Sequence, residues 1–350
     1  MSFSKEIINW YCTHRRDLPW RETVDPYKIW LSEVILQQTR VAQGMDYYYT
    51  FSENFPTVQA LALAEEDEVL RLWQGLGYYS RARNLHKAAK IVVNQFNGVF
   101  PSSYSSLLTL PGIGEYTAAA VASFSANEVH AVLDGNVFRV LARVFGLNEP
   151  INSSEGKKVF SKLANELIDP SSPATYNQAI MEFGALQCKP KNPDCAVCPI
   201  SSSCYAFIHQ EIDLLPVKFK KAKSRNRYFN YFVIKGGESI LMNKRGKGDI
   251  WQHLHDFPLI ESDNELSPEE LIVHPDVVQV FGTDLTIKSI SKPYKHVLSH
   301  QNIYARFFEV SKTALNLSEN TTWNYVLIKD LDKLAKPKLI VFYMESHFLI

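Results

Sequence analysis

The sequence predicts a multidomain protein in which an all-α domain is followed by an α+β domain that is rich in strands. Up to about residue 210, apolar residues recur at helical spacing. After Pro216 the chain breaks into short β-branched and aromatic runs separated by turns. With 350 residues the chain is long enough for two buried cores. We therefore expect a first domain at 1–216, a linker at 217–227 and a second domain at 228–350.

The elements follow from these patterns in chain order. Helices are predicted at 26–39, 58–73, 81–96, 117–124, 137–145, 156–168 and 176–186. Strands are predicted at 228–234, 239–243, 277–281, 285–289 and 302–310. In the first helix one apolar face carries Leu31, Val34, Ile35 and Gln38, whereas Glu33 lies off that stripe.

Composition and charge set broad limits on the class of protein. Apolar residues make up 46% and charged residues 21% of the chain, which is typical of a soluble globular protein. The first residues lack the apolar run of a signal peptide, and no stretch is long enough to span a bilayer. A cytoplasmic protein is expected. The net charge of zero argues weakly against a nucleic-acid partner.

One strip of positive charge qualifies that last point. Residues 214–237 contain no acidic residue and seven basic ones, namely Lys218, Lys220, Lys221, Lys223, Arg225, Arg227 and Lys235. Such a strip can bind phosphates, or it can be a solvated linker.

Four of the five cysteines are clustered, while Cys12 is isolated. They are separated by six, two and five residues and are Cys188, Cys195, Cys198 and Cys204. In a reducing compartment such a cluster indicates metal ligation rather than disulfides. Four thiolates suit either an iron–sulfur cluster or zinc, so the chemistry alone leaves both open.

Three further features are candidates for chemistry. The run LPGIG at 110–114 precedes an alanine-rich helix, whose free N–H groups can seat a phosphate, although a tight structural turn fits equally. Asp134 stands just before a helix, where an aspartate is usually an N-cap. Glu33, taken alone, is an ordinary solvated acid.

Together these motifs resemble the MutY-type members of the helix-hairpin-helix, iron–sulfur DNA glycosylases. The resemblance covers about the first 205 residues closely and rests on LPGIG, on SEVILQQTR at 32–40 and on the cysteine spacing. It implies a helix-hairpin-helix glycosylase domain whose four cysteines hold a [4Fe–4S] cluster in a loop at 188–204. A ferredoxin-type electron carrier is the rival for the cysteine cluster.

The resemblance also assigns the reaction. Glu33 is the general acid that protonates N7 of a flipped adenine, and Asp134 is the anion that stabilises the oxocarbenium-like sugar. Asn136 assists Asp134. Tyr116 stands where the related lyases carry a nucleophilic lysine, which implies base excision without an efficient lyase step. Tyr116 is instead expected to be a partner of the general acid.

The same family pattern assigns the DNA contacts. Gly112 and Gly114 grip one backbone phosphate. Gln38 enters the base stack, and Tyr78 wedges beside the opposite base. Arg81 is expected to contact phosphate.

The second domain resembles the MutT (Nudix)-like domain of MutY proteins, with a looser fit. The acidic box that hydrolase members use to hold magnesium is missing, so this domain should bind and not hydrolyse. In the family a Phe-Ser-His loop reads 8-oxoguanine. Here Ser299 and His300 match that loop, whereas Leu298 departs from it.

The resulting expectation is a monofunctional, monomeric, bacterial and nucleoid-associated adenine DNA glycosylase. Its partner would be double-stranded DNA that contains adenine opposite 8-oxoguanine or guanine. Three alternatives remain: an endonuclease III-like glycosylase/lyase acting on oxidised pyrimidines, a nucleotide pyrophosphohydrolase, and a non-catalytic damage-binding protein.

Overall fold

The computed structural model describes residues 2–219, 224–311 and 322–348, and the chain divides into two units. The first unit consists of Met1–Leu63 and Asn84–Lys220, and the second of Ala64–Arg83 and Lys221–Ile350. The segment 64–83, which the sequence assigns to the first domain, packs in the second unit.

Helices form the chain up to residue 208. They are α1 (Phe3–His14), α2 (Pro26–Leu36), α3 (Val41–Asn54), α4 (Val58–Leu63), α5 (Glu66–Leu72), α6 (Ser80–Gln95), α7 (Tyr104–Leu107), α8 (Glu115–Ala126), α9 (Gly135–Phe145), α10 (Ser154–Leu167), α11 (Pro173–Leu186) and α12 (Tyr205–Ile208). The core of the first unit lies where α1, α8, α9 and α11 pack, around Val140, Phe160 and Phe183. Among the helices that the structure describes, none is long and apolar enough to cross a membrane.

Two predicted helices differ from the observed ones. The first ends at Leu36 and not at residue 39, so Gln38 lies outside it in a left-handed conformation with φ of 57°. The predicted helix 58–73 is divided into α4 and α5, because the chain is extended at Glu65, the N-cap of α5.

The second unit is built on a mixed sheet. Its strands are β1 (Arg225–Gly236), β2 (Ser239–Lys244), β3 (His255–Asp256), β4 (Leu259–Ser262), β5 (Thr286–Ile290), β6 (Tyr294–Val297), β7 (Gln301–Ser311) and β8 (Trp323–Leu327). Strands β1 and β7 run parallel from the Arg225–Gln301 pair to the Ile234–Val310 pair, and the other pairings are antiparallel. Helices α13 (Pro268–Ile272), α14 (Pro275–Phe281) and α15 (Lys338–His347) complete the unit.

The strand predicted at 277–281 is wrong, because these residues form most of α14. Pro275 starts this helix and Asp276 lies in its first turn, both of which favour a helix start. Val277 and Phe281 are fully buried one helical turn apart. β-branched composition therefore misled the prediction where the spacing of the apolar residues was helical.

The predicted linker is partly strand. β1 begins at Arg225, and the guanidinium of Arg227 is buried between the carboxylates of Asp249 and Glu261 at 2.7 and 2.6 Å. Arg227 therefore stabilises the second unit and does not belong to a solvated basic strip. Lys220, Lys221 and Lys223 lie outside the described residues.

Candidate active site

Glu33 lies in the part of α2 in which every residue is buried. Asp25 caps the start of α2 by accepting a hydrogen bond from the Tyr27 amide, and the helix is buried from Ile29 through Ile35. Glu33 is only 7% exposed, in contrast to the solvated acid that its position off the apolar stripe indicated. Burial raises the pKa of its carboxyl to about 7, since a low-polarity surrounding disfavours the charged form.

Tyr116 holds this carboxyl from the first turn of α8. Its hydroxyl donates a hydrogen bond to Oε2 of Glu33 at 2.8 Å. That bond lowers the pKa of Glu33, against the effect of burial, while the nearby charge of Asp134 raises it. Burial raises the pKa of Tyr116 itself well above its usual value, so the hydroxyl remains a donor.

Asp134 caps the N-terminus of α9. Its Oδ1 accepts the backbone N–H groups of Asn136 and Val137 at 2.8 Å, and its Oδ2 accepts the Asn136 side-chain amide at 2.8 Å. Burial raises the pKa of Asp134, while these three donors favour its charged form. The N-cap role that the sequence indicates is therefore real, and it leaves a partly buried carboxylate close enough to Glu33 to affect its pKa.

Asn136 connects Asp134 to the cysteine loop through Arg139. The Arg139 guanidinium donates to Oδ1 of Asn136 at 2.9 Å, to the Gly184 carbonyl at 2.6 Å and to the Cys188 carbonyl at 2.8 Å. One turn further along α9, Arg143 is also buried. It donates to the carbonyls of Lys189, Pro190 and Leu215. The helix that begins at Asp134 is thus bonded along its length to the chain that carries the cysteines.

The four clustered cysteines line one small cavity, together with apolar side chains that include Val144, Phe183 and Ile200. All four are free thiols, and an N–H of Arg143 points at the Cys188 sulfur at 3.5 Å. Within the described residues, no three or more Cys, His, Asp or Glu side chains converge as the ligands of a single metal ion. The donor set of four thiols around one apolar cavity, with an N–H directed at one sulfur, fits a larger sulfur-ligated group.

A buried ion cluster beside the acid was not found from the sequence. The carboxylate of Glu182 on α11 accepts from the guanidinium groups of both Arg16 and Arg21, with closest distances of 2.7 and 2.8 Å. These bonds hold the pKa of Glu182 at about 2 against its burial, and the charge of Arg21 also lowers the pKa of Glu33. Two arginines flank Leu-Pro-Trp at 18–20, but their partner is over 160 residues away, where no local pattern points to it.

The glycine hairpin lies directly before α8. Gly112 has φ of 81°, and a Cβ there would meet Cβ of Asn84 at 2.7 Å, so glycine is required for both conformation and space. Gly114 is the exposed N-cap of α8, with open space where a Cβ would lie. The first N–H groups of this 12-residue helix follow it.

Tyr78 and Arg81 lie in the segment that packs in the second unit. Tyr78 is 44% exposed and has φ of 47°. The Arg81 guanidinium lies 5.7 Å from the Tyr78 ring centroid and 5.1 Å from that of Trp73, and it donates to the Gly77 carbonyl at 3.2 Å. Arg81 thus braces the turn that presents Tyr78.

Ser299 and His300 lie in the turn between β6 and β7. Both are exposed, and Oγ of Ser299 is 3.0 Å from Nδ1 of His300. They line a cleft of about 940 Å³ within the second unit, together with Tyr78, Arg225 and Trp251. The structure therefore brings Tyr78, Ser299 and His300 to one cleft.

Comparisons with known proteins identify both parts of the chain. The HhH-GPD superfamily of base excision DNA repair proteins matches residues 31–168, and the NUDIX domain matches residues 230–346. Among solved structures, a thermostable thymine-DNA glycosylase matches with a TM-score of 0.55 and 30% identity over 59% of this chain and 95% of that one. The fold and the matched family models thus define a base excision DNA glycosylase that carries a Nudix-like second domain.

Relatives over most of the chain specify the family. The chain is 35% identical to the adenine DNA glycosylase of Buchnera aphidicola subsp. Baizongia pistaciae, over 93% of this chain and 91% of that protein. It is 40% identical to the adenine DNA glycosylase of Buchnera aphidicola subsp. Schizaphis graminum, over 73% of this chain and 74% of that protein. The chain belongs to the adenine DNA glycosylase family, and the family and fold class predicted from the sequence are confirmed.

Proposed function

We propose that this enzyme hydrolyses the N-glycosidic bond of adenine opposite 8-oxoguanine or guanine in duplex DNA and leaves an abasic site. The observation that carries the proposal is Glu33, a buried carboxyl with a pKa of about 7 that accepts a hydrogen bond from Tyr116. A general acid works best when its pKa lies near the operating pH. An acid of this kind suits adenine, which leaves readily only after a ring nitrogen is protonated.

In the proposed reaction Glu33 gives its proton to N7 of the flipped adenine. The bond between C1′ and N9 then breaks, with its electron pair going to the base. The oxocarbenium-like sugar is stabilised by the Asp134 carboxylate, which Asn136 and the N-terminus of α9 hold in place. Water adds to C1′, and the proton that it loses restores the acid form of Glu33.

The enzyme should be monofunctional. A lyase step needs an amine that attacks C1′ as a Schiff-base nucleophile. Tyr116, at the place where lyases of this fold carry lysine, is a protonated phenol that is bonded to Glu33. This assignment favours adenine hydrolysis over the endonuclease III-like alternative.

DNA binding is assigned to both units. The exposed Gly112–Gly114 hairpin and the first N–H groups of α8 would hold one phosphate. Gln38, exposed and outside its helix, would fill the space that the flipped base leaves. Tyr78, with Arg81 beneath it, would wedge beside the opposite base, and Ser299 and His300 would read that base as 8-oxoguanine.

The four cysteines fit a [4Fe–4S] cluster, which when bound would hold loop 188–204 in one conformation. Because Arg139 and Arg143 bond α9 to the start of this loop, an ordered loop would also fix the position of α9 and of Asp134. We further propose that the catalytic domain lies within 1–216 and that the lesion-recognition domain consists of 228–350 together with the segment 64–83 and the first residues of β1, which leaves a shorter linker than 217–227. A monomer in the bacterial cytoplasm, associated with the nucleoid, is consistent with this role.

The decisive assay uses a duplex with one adenine opposite 8-oxoguanine, incubated with the enzyme and then treated with alkali. Strand breakage at the adenine only after alkali is the expected result. No breakage after alkali would refute the proposed function, and breakage without alkali would favour a lyase. A visible absorption band that disappears when iron is removed from the protein would identify the cluster. A colourless protein that contains zinc would refute it.

A further inference from the structure

The segment that carries Tyr78 is fastened to the second unit at both of its ends. Near its start, Glu66 pairs with Nδ1 of His253, and Asp67 pairs with Nζ of Lys244 at 2.9 Å. Near its end, Nη1 of Arg83 donates to the Gln252 carbonyl at 3.0 Å. These contacts fix the segment on both sides of the tyrosine.

The middle of the segment is held as well. The backbone N–H of Lys336 donates to Oε1 of Gln74 at 3.0 Å, and the Tyr79 hydroxyl donates to the Lys336 carbonyl at 3.4 Å. Trp73 Nε1 donates to the Gly77 carbonyl at 3.0 Å, directly before Tyr78. A non-glycine residue in the left-handed region, as Tyr78 is, persists only where its surroundings hold it.

A single loop, 248–253, joins this segment to the turn that carries Ser299 and His300. His253 and the Gln252 carbonyl contact the segment. The Trp251 ring packs edge-on against His296 of β6 at a centroid distance of 5.7 Å. Trp251 and His253 have φ of 58° and 65°, so this short loop holds two non-glycine residues in the left-handed region.

Loop 248–253 is itself fixed to the sheet. The guanidinium of Arg245 donates to the Ile250 carbonyl at 3.0 Å and to Asp249 at 2.8 Å, and Arg227 pairs with Asp249 at 2.7 Å. The loop is therefore a rigid spacer with Tyr78 on one side and the 298–300 turn on the other. Both sides face the same cleft.

We propose that loop 248–253 sets the separation between Tyr78 and the Ser299–His300 turn, so that Glu66, Trp251 and His253 are positioning residues for recognition of the base opposite adenine. This inference rests on the proposed function. Neither Glu66 nor His253 lines the cleft, so each would act through Tyr78 and not by touching DNA. Discrimination between 8-oxoguanine and guanine, and not the cutting step, would depend on them.

The test compares Glu66→Ala with Glu66→Gln, which keeps a hydrogen-bonding group opposite His253. Glu309→Ala is the matched control, because it breaks another exposed ion pair of the second unit, with Lys235, away from the cleft. We measure the preference as the ratio of the affinities for duplexes with adenine opposite 8-oxoguanine and adenine opposite guanine. Glu66→Ala should lower this ratio by about threefold, as expected for a partly exposed ion pair. The single-turnover rate at saturating enzyme should stay within about twofold, and Glu66→Gln should restore much of the preference.

A mutant cycle with Tyr78→Ala separates positioning from general stability. If Glu66 acts through Tyr78, then Glu66→Ala should change the preference only when Tyr78 is present. In parallel, 2-aminopurine placed beside the 8-oxoguanine should report weaker stacking on binding to Glu66→Ala. An equal effect of Glu66→Ala with and without Tyr78, or unchanged stacking, would overturn the inference. If the wild type releases no adenine, the proposed function fails, and the stacking signal alone decides the inference.

Discussion

Replacing Tyr116 by Phe removes one hydroxyl from the candidate site and leaves the ring in place. The lost hydrogen bond to Glu33 at 2.8 Å lowers the pKa of that carboxyl, whereas burial and the charge of Asp134 raise it. Without the hydroxyl, only the charge of Arg21 still opposes the two raising effects. The Tyr116→Phe variant should therefore keep its general acid protonated to higher pH than the wild type does.

The size of the effect follows from the kind of bond. A hydrogen bond to a charged group contributes about 1.5–3 kcal/mol, and about 1.4 kcal/mol corresponds to one pH unit. The pKa of Glu33 in the wild type is about 7, so activity should decline with a midpoint near this pH. In Tyr116→Phe the midpoint should move to about pH 8–9. The plateau rate should fall, because a weaker acid protonates adenine less readily.

Single-turnover adenine release, measured from about pH 5.5 to about pH 9.5, gives both quantities. Tyr27→Phe is the control, because Tyr27 lies on the same helix and its buried hydroxyl bonds to the Phe55 carbonyl at 2.8 Å, away from Glu33. That variant should change stability and leave the midpoint in place. A midpoint that stays constant or falls in Tyr116→Phe would refute the assignment of Tyr116 as the partner of the acid.

Three more variants test the rest of the site. Asp134→Asn should lower the single-turnover rate about a hundredfold or more. Asparagine keeps the helix cap, but its amide nitrogen replaces the oxygen that accepts the Asn136 side chain, so the free energy of unfolding should fall by about 1–3 kcal/mol; a much larger loss of stability in urea unfolding would contradict this. Glu33→Gln should reduce the pH dependence of stability. The pKa of Glu33 is raised from about 4.3 in the unfolded chain to about 7, so the folded wild type loses about 3 kcal/mol from this group as pH rises between these values. Urea unfolding at pH 5 and pH 8 should therefore show a smaller fall in Glu33→Gln than in the wild type, with other buried carboxyls such as Asp256 accounting for the rest, and an equal fall in both proteins would contradict this. Arg139→Ala should cost about 3 kcal/mol, because the Cys188 and Gly184 carbonyls lose a charged donor, and should make loop 188–204 more sensitive to protease; unchanged proteolysis would show that the loop does not depend on α9.

The sequence predicted those parts of the site that depend on local pattern. The LPGIG run, the Asp134 cap and the cysteine spacing each lie within a short stretch, and each is where the pattern places it. The order of a helical domain before a strand-rich domain was predicted from periodicity. The error at 277–281 arose where residue type and spacing disagreed and spacing was correct.

Long-range packing could not be predicted in this way. Glu66 and Asp67 pair with His253 and Lys244, more than 170 residues away. The partners of Glu182 are equally distant. Whether a charged residue is solvated or paired depends on the fold that brings its partner, and a single sequence carries no local sign of it.

The two carboxylates show why burial alone does not decide a role. Burial raises the pKa of both Glu33 and Asp134. Glu33 receives one side-chain donor, whereas Asp134 receives two backbone N–H groups, an amide and the N-terminus of a helix. Backbone donors cannot turn away or titrate, so they favour a carboxylate that is charged when positive charge develops on the sugar. A phenol that offers one hydrogen bond leaves Glu33 able to hold a proton near neutral pH, so under the proposed function the pattern of donors would make Glu33 the acid and Asp134 the anion.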